Sequence, residues 1–339
     1  MTQFTITEND AAQRLDKFLQ KAAPNLPPSV LYKALRTKHI KVNRKRSEGA
    51  YRLQTGDVVD CWLADEFFAR PNWAHDFLCA DTALEVLYED AHVLLADKPA
   101  GLLSHPGEGE YIDTLLGRVQ RYLYEKGEYL PEQEHSFAPA LVNRLDRNTQ
   151  GIIIAAKSAI ALRELNERMK HRQLRKFYLC AVHGVPQAVI EHSEANCSPQ
   201  VQWTLLRSWM QKDSEKSFVR VYDAPGPGRK ECLTNYRVLH RAGDFALLEV
   251  ELLTGRTHQI RAQLAHIGHA LVGDGKYAPR AQYQASPLKR QCLCAWRLVF
   301  CFHTTAGELG YLDKLDISVS KPAFLREIFP SFTPMRENI

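Results

Sequence analysis

The apolar runs of this 339-residue chain are short, and their length is the feature that most constrains its fold. Residues 152–156 (Ile-Ile-Ile-Ala-Ala) and residues 245–248 (Phe-Ala-Leu-Leu) are two examples. Runs of this length suit strands that are buried inside a sheet. A membrane-spanning helix requires about 20 largely apolar residues, and no run approaches that length. The chain is therefore predicted to fold around buried β-strands and to have no membrane association.

The chain divides into regions of different character. Residues 1–64 are helical, then strand-like, and basic, whereas residues 83–329 alternate strand-like runs with helical ones. Residues 65–82 mix aromatic and acidic residues with Pro71 and show no clear period, which is typical of a linker. A length of 339 residues suits two unequal domains. We predict an N-terminal domain of residues 1–64, a linker of residues 65–82, a larger domain of residues 83–329 and a polar tail of residues 330–339.

Local patterns in the first region predict two short helices followed by a small β element. An apolar stripe in residues 13–22 predicts one helix, and the Pro-Pro-Ser sequence at residues 27–29 predicts the start of a second. Residues 40–46 are expected to form a strand that enters a turn. Residues 51–62 are expected to form a strand, a Gly-Asp turn and another strand.

Residues 31–52 hold an unusual density of positive charge. Eight cations stand against a single acid, Glu48, although the net charge of the whole chain is only +5. Such a run is often just a solvated surface, but this imbalance favours a surface that faces the phosphates of a nucleic acid. The cations are Lys33, Arg36, Lys38, Lys41, Arg44, Lys45, Arg46 and Arg52.

The cysteines and the N-terminus bear on the compartment and on metals. The eight cysteines are scattered and form no Cys-x-x-Cys pair, so we expect reduced thiols and no zinc site. The N-terminus lacks the basic and then apolar pattern of a secretory signal, so a cytoplasmic location is expected. His258, His266 and His269 are not predicted to bind a metal, and the Gly-Asp-Gly at residues 273–275 is too short for a nucleotide-binding loop.

Asp146 is the most suggestive candidate for chemistry. It lies between Arg144 and Arg147, directly before the apolar residues 151–156, which are predicted to form a buried strand. Ser158 is expected to cap the helix that follows. By themselves, a carboxylate and two arginines are often no more than a structural ion pair.

Residues 143–151, Asn-Arg-Leu-Asp-Arg-Asn-Thr-Gln-Gly, resemble the signature HRLDxxTSG of the RluA family of pseudouridine synthases. Segments 86–107, 175–184 and 252–277 are similar, in the same order, to further motifs of that family. This chain departs from the signature where it has Asn143 for the usual His and Gln150 for the usual Ser. Through residues 14–19, 29–43 and 53–59, the first region resembles the small RNA-binding module shared by a small-subunit ribosomal protein and tyrosyl-tRNA synthetases.

The resemblance implies roles for individual residues. Asp146 corresponds to the catalytic carboxylate, and Tyr178 to a tyrosine that stacks on the base and is placed to move a proton. Arg256 is the best match for the arginine that keeps Asp146 ionised, with Arg261 as the rival for that role and otherwise a substrate-binding residue. Arg144 corresponds to the residue that enters the space left by a flipped uridine, because a base inside folded RNA must leave its stack to be modified.

The resemblance also implies a fold and a substrate. We expect an α+β protein whose catalytic domain has a mostly antiparallel sheet of the pseudouridine synthase fold, preceded by a small α/β RNA-binding module. The expected substrate is structured RNA, specifically large-subunit ribosomal RNA. We expect the protein to act as a monomer that needs no cofactor. The RNA-binding residues implied by the module are Lys33, Arg36, Lys38, Lys41 and Arg44.

Three other functions remain open from the sequence. The chain could be an inactive RNA-binding or ribosome-assembly factor that has kept the fold, or a pseudouridine synthase that acts on tRNA. A carboxylate-dependent glycoside or nucleoside hydrolase is a third, but that chemistry usually requires a second acid. None stands out in the matched segments, and Asp146, Tyr178 and Arg256 are all present.

Overall fold

The computed structural model describes residues 1–69, 72–107, 109–186, 203–213, 218–320 and 322–333. Its strands are β1 (Thr2–Thr5), β2 (Ile40–Val42), β3 (Lys45–Arg46), β4 (Val58–Cys61), β5 (Glu85–Glu89), β6 (Val93–Lys98), β7 (Ala140–Leu141), β8 (Gln150–Ala156), β9 (Leu174–His183), β10 (Thr204–Asp213), β11 (Phe218–Tyr222), β12 (Lys230–Ala242), β13 (Phe245–Leu252), β14 (Leu293–Phe300) and β15 (Asp316–Ser318). Its α-helices are α1 (Leu15–Ala22), α2 (Pro28–Arg36), α3 (Leu115–Glu125), α4 (Ala159–Lys170), α5 (Gln259–His266), α6 (Arg280–Ala285) and α7 (Ala323–Ile328).

The first strands and helices form a small module with a core of its own. Its four strands pair in the order β1-β4-β2-β3, and the apolar faces of α1 and α2 pack on them through residues such as Phe18 and Leu31, which are fully buried. The two helices predicted in this region are confirmed. The strand predicted to begin at Tyr51 is wrong, because Leu53 exchanges backbone hydrogen bonds with Ala12 and Gln13 in the irregular segment before α1.

The remaining strands form one large sheet. Its order is β11-β10-β12-β13-β9-β14-β8-β6-β5, with β15 beside β14 and β7 beside β8. The pairing of β14 with β8 is parallel, and the other pairings described in this sheet are antiparallel. The predicted α+β class with a mostly antiparallel sheet is confirmed.

The large sheet is covered by helices on both faces. Successive side chains of a strand point to opposite faces, so Ile153 packs on the side of α3 and α5, and Ile154 on the side of α4. In β9, Tyr178 likewise faces the α5 side, whereas Phe177 and Leu179 face α7. Burial on both faces explains why residues 152–156 are apolar without alternation.

The small module is held against the large sheet by side-chain hydrogen bonds. Asn9 donates to Glu134 Oε1 at 2.9 Å and accepts from the backbone N–H of Ala159 at 3.0 Å. Ser136 donates to Asp10 at 2.6 Å and accepts from Gln13 at 2.7 Å. These bonds join residues more than a hundred positions apart, so the two parts of the chain have a defined relative placement.

The regions predicted as linker and tail are partly described. The predicted linker contains two 3-10 helices, Asp65–Phe68 and Asn72–Cys79, and its Arg70 and Pro71 lie outside the described residues. Residues 334–339 of the predicted tail also lie outside them. In the part of the chain that the structure describes, no helix has the length and apolarity needed to cross a membrane.

Candidate active site

Asp146 lies in the loop that joins β7 to β8, and hydrogen bonds fix the backbone of this loop. Ser104 Oγ donates to the carbonyl oxygen of Leu145 at 2.9 Å and accepts from its N–H at 3.1 Å. The Leu145 side chain is buried in the core, and Thr149 N–H donates to the Asp146 carbonyl at 3.0 Å. The backbone is thus fixed on both sides of Asp146, while its side chain remains 30% exposed. A carboxylate in this setting is accessible to a ligand yet has a defined position.

The two departures from the family signature lie on either side of this loop. The Asn143 amide donates to the Ile152 carbonyl at 3.3 Å and accepts from Ile154 N–H at 2.8 Å, so it ties the loop to β8. Gln150 donates to Asp97 Oδ2 at 3.2 Å. Both side chains therefore hold neighbouring structure in place.

Arg261 connects Asp146 to a second, buried carboxylate. Its Nη1 donates to Asp146 Oδ2 at 2.7 Å, while its Nε and Nη2 donate to the two oxygens of Asp274 at 2.8 and 2.9 Å. The Arg261 side chain is 9% exposed and Asp274 is fully buried. Burial alone would lower the pKa of Arg261, but its bonds to Asp274 and Asp146 outweigh this and raise the pKa above its ordinary value. Arg261 is thus a permanent cation beside Asp146.

The prediction that Arg256 pairs with Asp146 is wrong. Arg256 is exposed, and its Nε donates to the carbonyl oxygen of Glu231 at 3.3 Å. Helix α5 begins only at Gln259, so Arg256 lies in the preceding loop, whereas Arg261 lies in the first turn and points inward. Because its donors are committed to two carboxylates, we group Arg261 with Asp146 rather than with residues that bind the substrate.

His258 and Tyr277 also belong to the surroundings of Asp146, and the sequence did not assign them a role. His258 Nε2 lies 3.7 Å from Asp146 Oδ2, and His258 Nδ1 lies 2.8 Å from the Tyr277 hydroxyl. Burial lowers the pKa of His258, although the charge of Asp146 opposes this shift. Helical spacing could not have indicated His258, because it lies outside α5 with a left-handed backbone.

Tyr178 projects from β9 toward the same site. It is 7% exposed, and it stands opposite Val250 on β13 and Ala295 on β14. Burial raises the pKa of its hydroxyl, and the negative charge of Asp146 raises it further. The phenol is therefore protonated at neutral pH. The structure thus brings together Asp146 and Tyr178, which are 32 positions apart in the chain.

Lys98 is a second cation near Asp146 that the sequence did not reveal. It is fully buried, and its Nζ donates to the carbonyl oxygens of Pro99, Leu102 and Arg147 at 2.9, 2.8 and 3.0 Å. Burial lowers its pKa to about 8, and the charge of Asp146 opposes the shift. Its bond to the Arg147 carbonyl fixes the residue that follows Asp146.

If the protein were a glycoside or nucleoside hydrolase, Asp274 would be the candidate for the required second acid. Burial favours its neutral form, but its two hydrogen bonds from Arg261 outweigh burial and lower its pKa. It also accepts from the N–H groups of Lys276 and Tyr277. An ionised, fully buried and fully bonded carboxylate is poorly suited to donate a proton to a leaving group.

The other predicted site residues lie at the surface. Arg144 is exposed, and its charge adds to burial in lowering the pKa of His105, so the two side chains are neighbours. The cations of the small module lie on α2, directly after it, in β2, and in the turn between β2 and β3. Lys33, Arg36, Lys38 and Arg44 are exposed, and Lys41 is half-buried with its Nζ 4.9 Å from the centre of the Trp62 ring.

Comparisons of sequence identify related proteins. Residues 92–266 match the family described as RNA pseudouridylate synthase. The chain is 32% identical over 282 residues to the ribosomal large subunit pseudouridine synthase C of Vibrio cholerae. This match covers 81% of this chain and 80% of that protein. It is also 32% identical over 318 residues to the Salmonella typhimurium protein of the same name, and that match covers 91% of each of the two chains.

Comparisons of structure identify the same fold. Human RNA pseudouridylate synthase domain containing 1 superimposes with a TM-score of 0.54 at 19% identity, covering 79% of this chain and 92% of that one. Human RNA pseudouridylate synthase domain containing 4 superimposes with a TM-score of 0.51 at 18% identity, and the match covers 71% of this chain and 89% of that one.

Proposed function

Because the chain belongs to the RNA pseudouridylate synthase family, we propose that it isomerises uridines of large-subunit ribosomal RNA, with Asp146 as the catalytic carboxylate. The relatives from Vibrio cholerae and Salmonella typhimurium are named as ribosomal large subunit pseudouridine synthases. Their similarity extends over most of both chains, and this supports the same substrate class. We propose that the protein is active as a monomer, and that it works in the cytoplasm on this RNA.

The reaction has modest chemical requirements. The bond between C1′ of the sugar and N1 of uracil breaks, the base turns, and C1′ joins C5; a proton leaves C5 and N1 gains one. There is no net oxidation or reduction, so one ionised carboxylate that attacks the sugar or removes a proton from it is the minimum equipment. The observation that carries the proposal is Asp146 itself, which is 30% exposed and anchored through Oδ2 to Arg261.

Two neighbours of Asp146 fit further steps. Tyr178 is buried beside Asp146 with a protonated hydroxyl, so its ring can support a flipped uracil. Arg144 is exposed at the rim, two residues before Asp146, where a guanidinium can occupy the gap that the base leaves in its stack. We propose that Tyr178 supports the extruded base and that Arg144 fills the space left in the stack.

One experiment separates this function from its alternatives. The purified chain would be incubated with unmodified large-subunit ribosomal RNA, small-subunit ribosomal RNA and tRNA, and pseudouridine would be mapped at base resolution. We expect new pseudouridine in the large-subunit RNA at specific positions. Modification confined to tRNA would contradict the proposed substrate, and RNA binding without any modification would indicate the inactive binding factor.

The exposed cations of the small module are expected to supply affinity rather than chemistry. Replacing Lys33, Arg36, Lys38 and Arg44 together by Gln should weaken binding to structured RNA and flatten its salt dependence. Each lost phosphate contact removes roughly 0.7–0.9 from the slope of log affinity against log salt, so four contacts would remove about 3. The maximal rate on a saturating short substrate should change less than about twofold. Filter binding across a salt series measures the slope.

The matched control removes four exposed cations from the face of the large sheet that is opposite to the face of Tyr178. Lys170, Arg172, Lys314 and Arg326 lie on the side that carries α4 and α7. Their replacement by Gln changes the net charge equally and should leave the slope close to that of the unaltered protein. If both quadruple variants flatten the slope to the same extent, the small module contributes only through net charge.

A further inference from the structure

His258 has an unusual backbone conformation that places its ring in the site. Its φ of 54° and ψ of 22° lie in the left-handed region, which residues other than glycine rarely adopt. Such conformations persist where the surrounding structure requires them, and they are common at active sites. Here the consequence is that the imidazole lies between Asp146 and Tyr277, 3.7 Å from the carboxylate and 2.8 Å from the hydroxyl.

The hydrogen bonds of Tyr277 favour one of the two neutral tautomers of His258. The Tyr277 oxygen already accepts from the N–H of Val219 at 3.1 Å. Its own proton therefore needs an acceptor, and His258 Nδ1 lies at 2.8 Å. When Nδ1 accepts, the neutral ring carries its proton on Nε2, which is the nitrogen that faces Asp146. Tyr277 is held in turn by stacking on Phe218 with the ring centres 4.8 Å apart.

Burial favours the neutral form of His258, and charges of both signs surround it. Asp146 and Asp274 face it with negative charge, and Arg261 and Lys276 with positive charge. Burial is the largest influence and lowers the pKa, and the two cations lower it further against the two carboxylates. Because the pKa of His258 is lowered, the ring is uncharged at neutral pH, and its Nε2 faces Asp146 at 3.7 Å.

Arg261 alone does not fix the orientation of Asp146. It gives Asp146 one hydrogen bond, to Oδ2, because its other bonded donors go to Asp274. A single bond fixes the position of an oxygen but leaves the carboxylate free to turn about it. A second donor that approaches Oδ2 from another direction would restrict that turning. The His258 Nε2 distance of 3.7 Å is longer by about 0.7 Å than an ordinary N–H···O bond of roughly 3 Å.

We propose that His258, oriented by Tyr277, is a positioning residue that restrains Oδ2 of Asp146 together with Arg261 and so turns Oδ1 toward the uridine. This inference rests on the proposed function, because it concerns the carboxylate assigned there. It adds a chain of contacts that runs from the backbone of β11 at Val219 through Tyr277 and His258 to Asp146. Tyr277 therefore acts through His258, and His258 acts through Asp146.

The test compares substitutions at both positions in the same isomerisation assay. His258→Gly removes the ring while suiting the left-handed backbone, and it should lower kcat by up to about a hundredfold, because misplacing a reacting group by about 1 Å has effects of this size. The KM for RNA should change less than about threefold. His258→Gln keeps an N–H donor and should recover part of kcat. Tyr277→Phe keeps the ring and should lower kcat by about tenfold.

A double variant and a pH profile distinguish positioning from a structural role. Adding Tyr277→Phe to His258→Gly should lower kcat by less than about twofold further, because the hydroxyl would have nothing left to orient. At acidic pH, Nδ1 of His258 takes up a proton and can no longer accept the hydrogen bond from Tyr277. The rate should therefore fall in acid partly because His258 titrates. In His258→Gln that part of the fall should be lost and the acidic limb of the rate profile should move to lower pH.

His266→Gln is the matched control, since this histidine lies at the end of α5, the helix that follows His258, and bonds to the exposed Asp223 at 2.8 Å. Its kcat and pH profile should equal those of the unaltered enzyme.

An unchanged kcat and pH profile in the His258 variants would overturn the inference while the proposed function stands. So would an equal effect of Tyr277→Phe in the unaltered enzyme and in His258→Gly. If the unaltered enzyme forms no pseudouridine, both fail. Should His258→Gly not fold, His258→Gln and Tyr277→Phe carry the same comparison.

Discussion

Asp146→Asn is expected to abolish isomerisation, with a loss of rate on the order of 10⁴-fold or more, as for other residues that perform the chemical step. The amide has nearly the shape of the carboxylate, but it cannot act as an anionic nucleophile or as a base. The structural effect of the change should be confined to the site. Arg261 keeps its two bonds to Asp274 at 2.8 and 2.9 Å and so remains in place when Asp146 loses its charge.

Single-turnover formation of pseudouridine at saturating enzyme measures this loss, and filter binding measures RNA affinity, which should stay within about threefold. Asp223→Asn is the matched control, because Asp223 is 88% exposed and should be replaceable without effect on rate. Comparable single-turnover rates for Asp146→Asn and the unaltered enzyme would end the assignment of Asp146. A parallel loss of RNA affinity would instead point to a defect in binding.

The parts of the fold that were predictable depend on local physics. Residues 152–156 are apolar and begin with three β-branched isoleucines, and they lie in β8 as predicted. Ser158 accepts a hydrogen bond from the Ala161 N–H at 3.2 Å, so it caps α4 as predicted. Both signals lie within a few residues of the structure they cause, because strand burial and helix capping are decided by adjacent side chains.

The pairing of Asp146 with an arginine was not predictable in the same way. Arg261 is 115 positions from Asp146 in the chain, and the contact depends on where α5 sits on the large sheet. The choice between Arg256 and Arg261 depended on where α5 begins, and helix starts are poorly defined by sequence. The helix begins at Gln259, after His258 in its left-handed conformation, and this excludes Arg256 from the site.

Burial of charge was the other feature that the sequence concealed. Lysine is almost never fully buried, so nothing in the residues around Lys98 indicates that its ammonium lies in the core. It can do so because three carbonyl oxygens accept its protons, and one of them belongs to Arg147 in a separate loop. Such a partner set exists only once the sheet has formed.

Arg261→Gln is expected to lose nearly all isomerisation and a substantial part of the stability of the protein. Removing one partner of a buried ion pair lowers the free energy of unfolding by about 3–5 kcal/mol, and Asp274 would remain fully buried without its cation. Arg261→Lys should recover little, because an ammonium cannot reproduce the planar fork that bridges two carboxylates. Arg256→Gln should keep stability and most of the maximal rate, since Arg256 is exposed and bonds to a backbone carbonyl.

The loss of stability should depend on pH in a defined direction. In the unaltered protein the pKa of Asp274 is lowered, so its contribution to stability is present at neutral pH and declines as the pH falls through that folded pKa. Without Arg261, burial would raise the pKa of Asp274 instead, and the variant would gain stability on acidification as the buried carboxylate takes up a proton. The difference between the two proteins should therefore be largest near pH 7 and smaller in acid, as measured by urea unfolding at both pH values.

Combining Arg261→Gln with Asp274→Asn separates stability from catalysis. The double variant has no unpaired buried charge, so it should recover much of the stability at pH 7 that Arg261→Gln loses. It should not recover isomerisation, because Asp146 would still lack the donor that binds Oδ2 at 2.7 Å. If the double variant regains activity together with stability, Arg261 serves the fold and not Asp146. If Arg256→Gln loses rate while Arg261→Gln retains it, the pairing seen in the structure does not operate in the reaction.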